Sequence, residues 1–346
     1  MRKRKKSQKK ASYILISIGL LLVIASFTIN KTFIEESSNK IRTIVQEPVE
    51  NVLGDKTADK VEGEGDKRQE VVEDLPVSSK FTAKSYLLYD LNSSEIVGGK
   101  DVDKKLPNAS TTKLMTAYIA VNTYPLNRQL PVTEECIGIE GNNVGFSLGD
   151  SFYVEDLLYG LLLRSASDAS CVFTSNFEGG TSSFIERMNT EAKNLDLENT
   201  NYTNAIGLDA ENHYSSSNDL LKLILKLKDI EKLKIIMGSR DFTLRDMTYG
   251  NKYYVSNTNR LLFDLPGTVG YKTGFTSSAG ECLVFGYNNF GTELIVVVMG
   301  SLDRFYDAKH LLDLYLIKTG KVEEAGTVEA TSSIRVTEEV TNKLKN

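Results

Sequence analysis

Residues 11–29 (ASYILISIGLLLVIASFTI) carry no charge and are mostly apolar, and this run constrains the layout of the chain more than any other feature. Nineteen such residues suffice to cross a bilayer as a helix. The ten residues before them hold seven bases (Arg2, Lys3, Arg4, Lys5, Lys6, Lys9, Lys10) and no acid. Flanking bases stay on the cytoplasmic side, so everything after the run is expected outside. A cleaved signal peptide has a shorter apolar region followed by a small-x-small site. Here the run continues through Phe27, Thr28, Ile29 and Asn30 without one. The expectation is a basic leader over 1–10 and a single-pass transmembrane signal-anchor over 11–29.

The formal net charge of −5 is unevenly spread. Beyond residue 10, 34 Lys and Arg face 46 Asp and Glu. An acidic body excludes nucleic acid as a partner, because phosphate binding needs clustered bases. Residues 30–80 are rich in Glu, Lys, Asp and Val without periodicity, and read as an extracytoplasmic tether. The polar stretch 320–346 reads as a C-terminal tail. Cys136, Cys171 and Cys282 allow one disulfide with three possible pairings in an exported protein, but three buried small side chains are the preferred reading. Widely spaced cysteines and only two histidines, His213 and His310, make no metal-site pattern, and no cofactor is implied.

Structure is expected from Phe81. SYLLYD (85–90) and EIVGG (95–99), parted by LNSS, predict a hairpin. Helices are predicted after Ser110, over 154–163, 180–195 and 216–236, and from Asp303 to Thr319. CLVFGYN (282–288) and TELIVVVMGS (292–301) predict a second hairpin. Strands at both ends with helices between them argue for an α/β domain over 81–319. The pattern by itself suggests a mixed sheet with a helical insertion.

Three short patterns carry chemistry. Ser110-Thr111-Thr112-Lys113 is an S-x-x-K pattern at a helix start, where positions i and i+3 share a face. A neutral lysine one turn on can take the serine proton and make the hydroxyl a nucleophile. Ser7-Gln8-Lys9-Lys10 and Ser37-Ser38-Asn39-Lys40 repeat the pattern in the leader and tether, where no pocket can form. Lys272-Thr273-Gly274 sits in a β-like context, whereas its copy Lys318-Thr319-Gly320 is ordinary chemistry for a helix end. Ser165-Ala166-Ser167-Asp168 follows an apolar helix and reads as a turn.

In this order, 55 and 107 residues apart, the three patterns resemble the low-molecular-weight penicillin-binding proteins, the serine D-alanyl-D-alanine carboxypeptidases. The likeness runs from about 81 to 318 and includes PNASTTKLMT, GDSFYVEDLLYGLLLRSASDA, GLDAENHYSSSNDL and NRLLFDLPGTVGYKTGFTSSAGECLV. It implies a β-lactamase/transpeptidase-like fold, with an antiparallel sheet flanked by helices and a helical subdomain inserted, and a bacterial membrane enzyme whose catalytic domain lies outside. Its substrates would be peptidoglycan stem peptides ending in D-Ala-D-Ala, and β-lactams would be covalent inhibitors. Ser110 would be the acylated nucleophile, Lys113 its base and Ser165 the proton relay. Lys272 and Thr273, with Arg304, would bind the substrate carboxylate, Gly274 would let the substrate backbone come close, and the N–H groups of Ser110 and Phe275 would form the oxyanion hole. Ser167 stands where the family has Asn, which implies a weakened hold on substrate. That departure motivates an alternative, a peptidoglycan or β-lactam sensor without turnover. A class A β-lactamase would need an E-x-x-L-N glutamate between 168 and 271. Glu191-Ala192-Lys193-Asn194 is the nearest string and lacks that order.

Overall fold

The computed structural model describes residues 80–289 and 291–321. The expected leader, the anchor over 11–29 and nearly all of the tether and tail lie outside them. No helix among the described residues is long and apolar enough to cross a membrane.

In chain order the domain opens with strands β1 (Ser85–Asp90) and β2 (Glu95–Lys100). A 3-10 turn over Ala109–Thr112 leads into helix α1 (Lys113–Thr123). A short hairpin of β3 (Gln129–Pro131) and β4 (Ser151–Tyr153) runs into α2 (Val154–Leu163). Helices α3 (Ser167–Ser175), α4 (Gly180–Asn194), α5 (Ser217–Leu227) and α6 (Glu231–Gly238) follow. Then come the hairpin β5 (Asp241–Arg245) with β6 (Lys252–Ser256) and the single turn α7 (Leu261–Asp264). Strands β7 (Thr268–Thr276), β8 (Gly280–Asn289) and β9 (Thr292–Ser301) precede the closing helix α8 (Arg304–Lys318).

Five strands form one antiparallel sheet in the order β2-β1-β9-β8-β7. Its central strands are apolar at nearly every position because both faces are covered. Successive side chains alternate between faces. Leu87, Cys282, Val284, Ile295, Val297 and Met299 pack into the core shared with the helical region. Tyr86, Leu88, Leu283, Phe285, Leu294, Val296 and Val298 pack beneath Ala308, Leu311, Leu312 and Leu316 of α8. This is the expected antiparallel sheet with a helical insertion between β2 and β7.

Local chemistry sets the element ends. Tyr124 is extended (φ −114°, ψ 131°) ahead of Pro125, as a residue before proline must be, and α1 stops there. Ser216 Oγ accepts from Asp219 N at the start of α5, and Asp303 accepts from Phe305 N and Tyr306 N at the start of α8. The helix predicted over 216–236 is two helices. The chain turns at Lys228–Ile230, so that Leu227 of α5 and Leu233 and Ile236 of α6 all reach one core. The Ser165–Asp168 segment is only half a turn, because α3 starts at Ser167.

The reading of three reduced cysteines is corrected. Cys136 and Cys171 form a disulfide, their Cα atoms 5.4 Å apart, and Cys282 is free and buried. Spacing could not choose the pair, because residue 136 meets α3 only after the chain folds back from β4 and α2. The bridge closes a loop across 35 residues, for which loss of chain entropy predicts about 2–4 kcal/mol of stabilisation. The denatured, unreduced protein should therefore present one reactive thiol, rising to three after reduction. Reductant should lower its denaturant midpoint, whereas it should leave a Cys136→Ser/Cys171→Ser variant unchanged.

Candidate active site

The site begins with strained backbone. Ala109, just before Ser110, is held at φ 46°, a left-handed conformation costing a non-glycine residue about 1–3 kcal/mol. Hydrogen bonds on the Asn108–Thr112 turn hold it there. Thr111 donates from both N and Oγ1 to Asn108 O, at 3.1 and 2.6 Å, and Asn108 Nδ2 donates to Thr112 Oγ1 at 3.0 Å. Two glycines let neighbouring backbone close over the turn. A Cβ on Gly207 would stand 2.0 Å from Ala109 O, and one on Gly274 would stand 3.0 Å from Ser110 N. Ser110 is left partly exposed at the head of α1, which directs Lys113 inward.

Lys113 is 1% exposed. Its Nζ lies 2.7 Å from Ile206 O, 3.2 Å from Ser110 Oγ and 3.5 Å from Ser167 Oγ. Burial lowers its pKa to about 7, against a smaller opposing pull from Asp168. Ile206 O is aimed by a loop wrapped on Asn204, whose Oδ1 accepts from the N–H groups of Ile206, Gly207 and Leu208.

Strand β7 forms the opposite wall and is an edge of the sheet, with one side free of strand partners among the described residues. Lys272 and Gly274 pair with Val284 and Cys282, which face the helical region, so the same face of β7 meets the nucleophile turn. Lys272 is also 1% exposed and donates to Thr273 O at 2.8 Å. Burial pushes its pKa well down, and the charges of Lys113 and Arg304 push it further. Thr273 Oγ1 is 2.6 Å from Thr258 Oγ1, and the Phe275 side chain is exposed beside the cleft.

Arg304 lies at the end of β7, but its guanidinium is already engaged. It pairs with Glu281 at 3.1 Å and donates to Gly274 O at 2.6 Å and Cys282 O at 3.2 Å. Ser165 has φ 62°, and its Oγ is buried without a hydrogen-bond partner among the described residues. Ser167, at the start of α3, is the second-motif serine within reach of Lys113. Among the described residues no cluster of His, Cys, Asp and Glu could hold a metal ion.

Two residues here escaped sequence reasoning as parts of the site. Asp168 accepts from Val144, Gly145 and Phe146 N, tying the loop before β4 to α3. His213 is buried, accepts from Thr203 N through Nδ1, and contacts Thr112 Oγ1 at 2.8 Å through Nε2. It therefore props the motif from behind. The GLDAENH string offered only a loop histidine as signal.

The profile of a family described as D-alanyl-D-alanine carboxypeptidase matches residues 70–302. The chain is 30% identical over 224 residues to the Bacillus subtilis D-alanyl-D-alanine carboxypeptidase DacF, covering 63% of this chain and 57% of that protein. It thus spans little more than half the length of that relative. It is 32% identical over 256 residues to a D-alanyl-D-alanine endopeptidase of Escherichia coli, covering 70% of this chain and 79% of the other. The solved D-alanyl-D-alanine carboxypeptidase of Mycobacterium tuberculosis superposes with a TM-score of 0.65 at 26% identity, over 73% of this chain's length and 96% of its own.

His213 provides a test of the prop. Burial lowers its pKa to about 4 from an ordinary 6.5, against a smaller opposing pull from Asp209. The folded state then binds this proton less readily than the unfolded state. Its contribution is complete above pH 6.5 and lost as pH falls toward 4, by about 3 kcal/mol in all. Denaturant unfolding of wild type and His213→Gln should show stabilities that converge across that window as the wild type falls more steeply.

Proposed function

The chain belongs to the D-alanyl-D-alanine carboxypeptidase family, and on that premise we propose that it removes the terminal D-alanine from peptidoglycan stem peptides through an acyl-enzyme on Ser110. One observation carries the reading: a buried amine with a pKa of about 7 lies 3.2 Å from a partly exposed serine hydroxyl. Neutral Lys113 takes the Ser110 proton as Oγ attacks the penultimate D-Ala carbonyl. The N–H groups of Ser110 and Phe275 receive the developing oxyanion. The closeness of Gly274 to Ser110 N supports that placement.

Lys272 and Thr273 bind the substrate's terminal carboxylate. An anion beside Lys272 restores the charged form that burial disfavours, so substrate brings the charge that holds it. Arg304 contributes mainly by fixing the end of β7 through Gly274 O and by adding positive potential. Water then releases the acyl group. A β-lactam presents the same carbonyl and carboxylate and would leave Ser110 acylated.

We further propose that residues 11–29 anchor the enzyme in the bacterial membrane, with 81–319 outside. The apolar run and the seven bases before it support this. Full-length protein should pellet with membranes and resist salt extraction, while a chain starting at Phe81 should stay in the supernatant and still be labelled by penicillin. Recovery of mature protein lacking residues 1–30 would replace the anchor with a cleaved signal.

Penicillin should add one adduct, mapped by peptide mass spectrometry to Ser110, and Ser110→Ala should show none. The acylation rate should climb with pH and level off above about 7, since below that value Lys113 is increasingly protonated and cannot accept the serine proton. At pH 6 the rate should be roughly tenfold below the plateau. An adduct persisting in Ser110→Ala would end the assignment. Labelling of Ser110 without any release of D-Ala would favour the sensor reading.

A further inference from the structure

The two serines of the second motif are treated differently by the fold. Ser165 Oγ is buried and makes no hydrogen bond with any described residue. Ser167 Oγ lies 3.5 Å from Lys113 Nζ, and Ser167 is 1% exposed. Its position is set from several sides. Its backbone N–H donates to Asn142 O at 2.6 Å. A Cβ on Gly141 would stand 2.6 Å from Ser167 Oγ, so that only glycine packs there without a shift. Asp168 ties the following loop residues 144–146 to the same helix start.

A neutral lysine amine has two N–H bonds and one lone pair. Ile206 O, at 2.7 Å, takes one hydrogen and Ser167 Oγ takes the other. The lone pair is then left for the Ser110 hydroxyl at 3.2 Å. The charged groups around Lys113 are Asp168 on α3 and Lys272 on β7, with Arg304 on α8 acting on Lys272.

We propose that in this chain Ser167, rather than Ser165, is the hydroxyl that works with Lys113, orienting its lone pair on Ser110 and passing the proton to the leaving amine. The proposal rests on the acyl-enzyme reading above. The Ser110 O–H bond breaks as Oγ bonds to the carbonyl carbon, and the proton moves to Lys113 Nζ. When the C–N bond breaks, its electron pair takes a proton from Ser167 Oγ, and Ser167 is reprotonated by Lys113. Lys113 ends neutral and D-Ala leaves with a neutral amine. A hydroxyl can accept and donate in one such step, which an Asn amide does not do. Serine at 167 is thus a reassignment of the relay within the motif.

The discriminating measurement pairs two substrates on the full-length protein: a D-Ala-D-Ala peptide, whose amine must be protonated to leave, and the corresponding thioester, whose thiolate leaves without a proton. Ser167→Ala should slow acylation by the peptide at least tenfold more than acylation by the thioester, general acid catalysis typically contributing about 10²–10⁴-fold. Ser165→Ala should slow both by one common, smaller factor. Ser167→Gly serves as a second variant if the alanine protein does not fold, with the same gap expected. A gap that follows Ser165, or equal losses on both substrates in the Ser167 variants, overturns the proposal and leaves the acyl-enzyme reading standing. A wild type that neither releases D-Ala nor is labelled at Ser110 overturns both.

Discussion

Everything at the site depends on Lys113 being kept out of water. A lysine amine is an ordinary cation at neutral pH and cannot accept a serine proton. Burial lowers its pKa to about 7, and only a tightly closed surround can bury it. Gly207 and Gly274 bring backbone against the Ala109–Ser110 peptide, where a side chain would collide at 207 and crowd the turn at 274. The left-handed Ala109 turns Ser110 toward the cleft while Lys113 enters the core at the head of α1. Strain at 109 and crowding at 207 and 274 are what closure around an amine requires.

The rest of the domain reads as support for that closure. The sheet is covered on both faces, so β7 is a firm edge presenting Lys272 and Gly274 to the turn. Arg304, bound to Glu281 and to Gly274 O, ties α8 to the end of that edge. Asp168 and the Cys136–Cys171 bridge hold the start of α3 and the loop before β4 as one wall. His213 holds Thr112 from the far side as a neutral ring. Each support is a hydrogen bond or covalent link between segments far apart in the chain.

The sheet and helices were largely legible because continuous apolar runs and period-3.6 patterns are read from residues close in sequence. The β1–β2 and β8–β9 hairpins and helices α1, α2, α4 and α8 fall where the patterns put them. The false copy at Lys318-Thr319-Gly320 does end α8, with Gly320 at φ 70°. The short β3, β4 and α7 carry too few residues to show a period. The break between α5 and α6 needs no proline or glycine, only a core that both helices must reach.

By itself the sequence determined the three motifs, their order, the apolar run ahead of the domain and the hydroxyl, amine and threonine chemistry available to a cleft. All are properties of residue type and spacing. Only the tertiary structure decided which cysteines pair, that Arg304 is engaged by Glu281, and that Lys113 meets the hydroxyl of Ser167 while that of Ser165 is left without a partner. These are matters of distance between segments tens of residues apart. Such distances are set by how the sheet and the helical insertion close on each other, which no local pattern records.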